Sequence, residues 1–515
     1  MTRTHDPRRR GGLAALALAA LAAGLAGCGQ MPVGPNYQLP TQALAAQPGA
    51  SAPFAQADAA LYSAQPLPAA WWKLYDDARL DSLVQQALAH NTDLRQAVAN
   101  LARERALEAE VAGAQKPTVG VNGGVIWGHP SGLDYLAPGY TPPPQWETAA
   151  GLAVSLPLDW FGQLQRQAEA AQASREAAEA ATDLARVQVA AGTTRAYAEV
   201  CALGLQLRSA RHSVQLQDEA VTLTRRLQSA GRTGVTDVAR AQGQLEHLRA
   251  AIPPLQARRQ GALYRLATLT GALPQALPAG VADCETPPQL SGLIPVGDGA
   301  ALLRRRPDVR QAERQLAAAT ARIGVATADL YPHIRLGLSV QSASPATDFL
   351  GSDSVGWSLG PLISWTLPNT GAVQARIAQA EAGTQGGLAH FDGTVLTALR
   401  ETETALNAYA RELDRRAALR AARAQEATVA EQAQRLYQSG RTGYLPALDA
   451  QRALAAAEAE LAASEAALAD DQALLFLALG GGWQAEAATP PAAPQATAQP
   501  GPATTAGLTA PRVPG

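Results

Sequence analysis

The residues of this chain that could do chemistry are few, and their spacing does not suggest catalysis. Its seven histidines (His5, His90, His129, His212, His247, His333, His390) stand far apart, without metal-ligand spacing. Its three cysteines include no Cys-x-x-Cys pair. Gly120, Gly123 and Gly124 lie in an alternating, strand-like context and do not form a phosphate-binding loop. Carboxylates along the helical stretches alternate with arginines, as solvated faces do. The reading is therefore no enzyme, no cofactor and no metal. Three features remain. Cys28 is a thiol placed for acylation. Asp449 and Arg452 are opposite charges three residues apart on one helix, which alone make an ordinary solvated pair. The third is a string that occurs twice, Gly231-Arg232-Thr233-Gly234 and Gly440-Arg441-Thr442-Gly443. It is the chemistry of a tight turn between antiparallel helices.

Cys28 ends a targeting segment. Arg8, Arg9 and Arg10 precede an apolar run, Leu13 to Ala26, too short to remain as a membrane span. Leu25-Ala26-Gly27-Cys28 resembles a bacterial lipobox, whose cysteine becomes the lipidated first residue; the alternative is ordinary signal cleavage near a chance Cys. Residues 1–27 read as a lipoprotein signal peptide. Gly29, where an Asp would signal inner-membrane retention, gives an outer-membrane address. A single acyl anchor holds reversibly unless other contacts add to it. Cys201 falls in a heptad series with Leu184, Val187, Ala191, Thr194, Ala198 and Leu205, so it is expected to pack as a small apolar residue. An oxidising compartment permits a disulfide, and the role of Cys284, in a Pro-rich loop, stays open.

The formal charge of −2 gives no basic field for nucleic acid. Only 17% of residues are charged and 47% are hydrophobic, Ala foremost, which is a long-helix composition. Residues 28–74 read as a lipidated tether and an equatorial segment. Residues 75–271 form a first repeat. It has a helix stopped by Pro117, a β-hairpin at about 118–161, a long helix, the turn 231–234 and a return helix interrupted at Pro253-Pro254. Residues 272–302 are a linker. Residues 303–482 repeat the series, with a hairpin at about 333–367 and the turn 440–443. Residues 483–515 form an Ala/Pro-rich tail, expected to be disordered. Pro332 echoes Pro117, Gly371 echoes Gly162, and the second turn echoes the first.

Some 67 helical residues before the first turn would reach about 100 Å, too long for a compact domain. Return helices of about 36 residues cover roughly half that length. The short helices before each hairpin are placed to cover the other half. The hairpins, near Trp127, Trp146, Trp160, Trp357 and Trp365, suit membrane strands; a soluble hairpin is the alternative. Four strands cannot close in lipid, where open edges are forbidden. The expected fold is mixed α and β. An outer-membrane β-barrel of four strands per protomer, closed as a trimer, continues into a long α-helical barrel with an internal two-fold repeat.

In these residues the chain resembles the TolC-type outer-membrane efflux factors, in particular the lipoprotein branch called the NodT family. The motifs are Cys28 with Val33-Gly34-Pro35-Asn36-Tyr37, Trp71-Trp72-Lys73-Leu74-Tyr75 leading to Leu80-Asp81, Leu303-Arg304-Arg305-Arg306-Pro307-Asp308-Val309, Tyr331-Pro332-His333-Ile334, and Leu448-Asp449-Ala450-Gln451-Arg452. The resemblance implies a homotrimeric exit duct for small molecules such as drugs, in the outer membrane of a Gram-negative bacterium. Its tips would meet a periplasmic adaptor protein bound to an inner-membrane pump of RND or ABC type. It also implies a periplasmic gate at Tyr437, Asp449 and Arg452, and adaptor contact at both turns. Pro446 stands where some relatives carry an acidic residue, and Gln228 stands in the first repeat where Tyr437 stands in the second. Type I protein secretion is the alternative for such a duct, and a structural coiled-coil envelope lipoprotein is the alternative of another class.

Overall fold

Two stretches without proline form the longest elements, Gln163–Ser229 (α3) and Thr370–Gln438 (α8), of 67 and 69 residues. The structure is a computed structural model that describes residues 32–129, 139, 141, 143–278, 280–290, 292–366 and 370–483. The signal peptide, Cys28 and the tail beyond Trp483 lie outside the described residues. Each long helix is followed by a turn and a return. After α3 come Val235–Ala250 (α4) and Ile252–Leu269 (α5), the latter starting on Pro253 and Pro254. After α8 comes Tyr444–Ala478 (α9). Before the long helices stand Ala78–His90 (α1) and Thr92–Gly113 (α2) in the first half, and Gly299–Arg305 (α6) and Pro307–Ala328 (α7) in the second. The hairpins are Thr118–Gly128 (β1) with Gln145–Leu158 (β2), and His333–Pro345 (β3) with Val355–Ser364 (β4).

The helix expected to run unbroken from 75 to Pro117 is divided at Asn91. The Asn91 backbone leaves the helical region (φ −58°, ψ 135°), and its Oδ1 accepts from the Asp93 and Leu94 amides. Its Nδ2 donates to the Leu269 carbonyl at the end of α5. Gly271 lies against the His90 carbonyl, where a Cβ would collide with backbone. The short helices therefore meet end to end alongside α3. The second half makes the same joint with other residues. Arg305 Nε donates to Leu479 O (2.7 Å) and Arg306 Nη1 to Ala478 O (2.9 Å), capping the end of α9. Arg306 also pairs with Asp308 and Glu401. This accounts for the Arg-Arg-Pro-Asp run.

The main core lies at this equator. Trp71 is fully buried and stacks on Phe476, ring centroids 4.3 Å apart. Trp72 Nε1 donates to Asp81 (2.8 Å), which explains the Trp-Trp motif and its distant Asp. Cys201 is a correction to the expectation that it packs only as a small apolar residue: it forms a disulfide with Cys284. The loop after α5 folds back onto α3, bringing together thiols 83 residues apart in sequence. Gly204 leaves room for the Cys284 carbonyl, and Arg259 Nη2 donates to that carbonyl (2.7 Å).

The chain before the equator is pinned at the opposite end of α3, beside the sheet. Arg166 is 2% exposed. Its Nε donates to Val33 O (3.0 Å), its Nη2 to Gly34 O (3.1 Å) and Asn36 Oδ1 (2.8 Å), and its Nη1 to Glu169 (2.7 Å). Gly34 packs on Gly324 and Gly162 on Pro32, with no space for side chains at either glycine. Tyr37 donates to Glu313 and lies under Arg314.

Candidate functional site

The first candidate surface is the sheet, ordered β1-β2-β3-β4 and antiparallel throughout. Register sorts its side chains, because directly opposed residues share a face. One face carries Val119, Val121, Val125 and Trp127 of β1 against Val154, Leu152, Thr148 and Trp146 of β2. It continues through Leu336, Leu338 and Val340 of β3 to Pro361, Leu359 and Trp357 of β4. Val121 is 81% and Trp357 74% exposed, so this apolar face is uncovered in the single chain. The opposite face carries Gly120, Asn122, Gly124 and Ile126, then Gly151, Ala153 and Ser155, then Gly337, Ser339 and Gln341, then Gly356, Ser358, Gly360 and Leu362, so it is mostly polar or small with two apolar side chains towards its ends. Apolar and polar or small faces on one sheet are what a strand between lipid and a watery lumen requires. The outer edges of β1 and β4 have no partner strand among the described residues.

The second candidate surface is the tip, where both turns lie together. Gly231 and Gly440 have φ +73°, the left-handed conformation that ends a helix. Arg232 N donates to Leu227 O and Gly231 N to Gln228 O; Arg441 N and Gly440 N repeat this with Leu436 O and Tyr437 O. The Arg232 guanidinium rests on Gly440, joining the two turns. The turns differ at one point. Thr233 Oγ1 donates to Asp237 Oδ2 (2.6 Å), whereas Pro446 takes the corresponding place in the second copy, leaving Thr442 Oγ1 buried without a partner among the described residues. Val235 and Leu445, just after the turns, are exposed.

Tyr437, Asp449 and Arg452 all reach this tip but in different settings. Tyr437 is buried in a cluster with Val221, Ala241, Leu245, Tyr444, Ala447 and Leu448. Its hydroxyl donates to Thr224 (3.3 Å), and its ring lies 5.2 Å from that of Tyr444. Asp449 and Arg452 are more than half and half exposed, with 4.0 Å between Oδ1 and Nη1. Arg452 Nε donates to Gln244 Oε1 (2.8 Å), tying α9 to α4 of the other half. Gln217 completes the arrangement, donating to Ala241 O (2.9 Å) and Tyr444 Oη (3.3 Å). Burial pushes the Tyr444 hydroxyl above its ordinary pKa. Gln217, Thr224, Gln244 and Tyr444 were not singled out by the sequence reading. The available signal was the seven-residue spacing of Gln217 and Thr224 in an otherwise apolar seam.

A family model described as "Outer membrane efflux protein" matches residues 83–272 and 300–481. The chain is 29% identical over 466 residues to Nodulation protein T of Rhizobium leguminosarum bv. trifolii, covering 89% of this chain and 95% of that one. It is 30% identical over 462 residues to the pyoverdine export outer membrane protein OpmQ of Pseudomonas putida, covering 87% and 95%. Among solved structures, the outer-membrane channel OprN superposes with a TM-score of 0.81 at 34% identity, covering 88% of this chain and 99% of that one.

Proposed function

The chain belongs to the outer membrane efflux protein family, and from that membership we propose a trimeric export duct spanning the outer membrane and reaching into the periplasm. The observation that carries it is the sheet: one face apolar and uncovered, the other mostly polar and small, with neither outer edge paired among the described residues. Lipid tolerates no open edge, so β1 must pair with β4 of another copy. Three copies give twelve strands, an even number that closes a barrel. The long helices, about 100 Å each, then continue the barrel as an α-helical tube. The two family-model matches, the matching turns and the two end-to-end joints support an internal repeat.

The cargo is a class of small molecules, handed over by a periplasmic adaptor and an inner-membrane RND or ABC pump in a tripartite system. The adaptor contacts are Gly231 to Gly234 and Gly440 to Gly443, with exposed Val235 and Leu445 beside them. The gate is the second tip. Asp449 is exposed and only weakly paired with Arg452, and Arg452 is half exposed with its Nε held by Gln244, so Asp449 and the outer face of the guanidinium can engage a neighbouring protomer at about 0–1 kcal/mol per contact. Tyr437 serves differently from a cross-protomer contact: buried against Thr224, it ties the moving hairpin to the fixed one. Cys28 supplies the acyl anchor, with Arg166 holding the chain that follows. The purified mature chain should have the mass of three copies in detergent, and should conduct ions in liposomes, more so as Asp449→Ala. A monomer overturns the duct; unchanged conductance in the variant overturns the gate.

A further inference from the structure

The charges of the sheet are few and unevenly placed. Among the described residues of β1 to β4, the ionisable side chains are Glu147, His333 and Arg335, and register puts all three on the polar face. Arg335 stands opposite Pro157 on one side and Leu362 on the other, and His333 stands opposite Ser364. Both lie where β3 leaves α7, at the junction of sheet and helices. Arg335 is exposed and has no hydrogen bond or ion pair among the described residues. Two residues on, Gly337 has no side chain, and Leu362 leans over it; a Cβ there would come within 2.8 Å of Leu362 Cδ1. The side chain of Arg335 is thus open to solvent on the polar face. Glu147 stands opposite Pro345, at the far end of β3. Ten residues of strand separate these rows, roughly 33 Å. That exceeds a Debye length of about 8 Å several times over, so Glu147 does not neutralise the guanidinium; the nearer carboxylate, Asp159 just past the end of β2, has both oxygens engaged by the Leu164 and Gln165 amides.

On the trimeric reading above, on which this rests, we infer that three Arg335 side chains, each with His333 beside it, form a cationic ring where barrel meets tube. The ring concentrates solutes bearing carboxylate, sulfonate or phosphate groups and repels free cations. It acts as a selectivity element for anionic cargo, separate from the tip.

A thiol on the same face reads the local potential. Ser364→Cys would place a thiol about 7 Å from Arg335, two strand residues from its partner Leu362. Cys201 and Cys284 are already joined to each other. The purified full-length trimer at 10 mM salt would be labelled with an anionic and a cationic methanethiosulfonate. The anionic reagent should react faster. One unit charge at about 7 Å in water changes each rate about threefold, so adding Arg335→Ser should lower the anion-to-cation rate ratio about sevenfold. Arg335→Lys should keep the ratio, and 1 M salt should flatten it. A ratio unmoved by Arg335→Ser overturns the ring while leaving the duct standing. If Ser364→Cys reacts with neither reagent and Ile363→Cys, on the opposite face, reacts with both, the face assignment and the duct fall together.

Discussion

Arg166 offers the sharpest test of how the chain is held where the sheet meets the long helices. Three of its four hydrogen bonds go to Val33, Gly34 and Asn36, a few residues after Cys28. Arg166→Met keeps an unbranched apolar stem at the site and removes every donor. A hydrogen bond from a charged donor contributes about 1.5–3 kcal/mol net. The lower figure applies, because carbonyls freed at this edge regain water when the segment lifts. Three bonds then amount to about 4.5 kcal/mol for local detachment, or a population change on the order of a thousandfold. Val33 N donates to Phe161 O (3.1 Å), so its amide reports detachment directly. Hydrogen exchange of the peptide covering 33–37 should accelerate about a thousandfold in Arg166→Met, while the middle of α3 stays protected. Arg166→Lys should recover little, because an ammonium cannot serve Val33, Gly34 and Asn36 together. Unchanged exchange at Val33 would refute the clamp. Acceleration along the whole of α3 would refute its being local.

Three further outcomes are expected. The disulfide bridges a sequence separation of 83 residues, for which chain entropy sets a ceiling of about 4–5 kcal/mol. Cys201→Ala with Cys284→Ala should therefore lower the apparent Tm and abolish its sensitivity to reductant, whereas wild-type protein indifferent to reductant would contradict the bridge. Burial, with Asp470 and Glu412 nearby, pushes the Asp471 carboxyl up to about 6. A folded pKa above the unfolded value contributes stability that is complete below about pH 4 and lost as pH rises through 6. Because the group is half-buried, the roughly 3 kcal/mol of that shift is discounted to about 1. Asp471→Asn should raise the apparent Tm at pH 7.5 and leave it unchanged near pH 4; the opposite trend would reject the assignment. At the tip, Thr233→Val should cost about 1 kcal/mol and Thr442→Val nothing, since only Thr233 has a carboxylate partner. Exchange rates of the two turns measure this, and equal losses would show the tips to be equivalent.

Much of the architecture was legible in the sequence, because it rests on local periodicity. Absence of proline over more than sixty residues sets α3 and α8, and the alternation of Val119, Val121 and Val125 sets a strand with two unlike faces. Gly231 and Gly440 mark turns because only glycine takes φ +73° without strain. The order of elements follows from these local rules. What tertiary structure decided are contacts between positions far apart in the chain, which no period encodes. A heptad makes Cys201 look like packing, and only the folded-back loop brings Cys284 to it. Asn91 looks like one residue of a helix until the end of α5 presents a carbonyl to it. Arg166 looks like a solvated charge on an Ala-rich helix, yet it is buried because the chain from Val33 to Asn36 wraps over it. Tyr437 was expected at a gate; the cluster with Val221, Tyr444 and Leu448 buries it, whereas Asp449 and Arg452, one helix later, stay in solvent. Side-chain type and spacing choose the elements, but which polar groups end up buried depends on which surfaces those elements bring together.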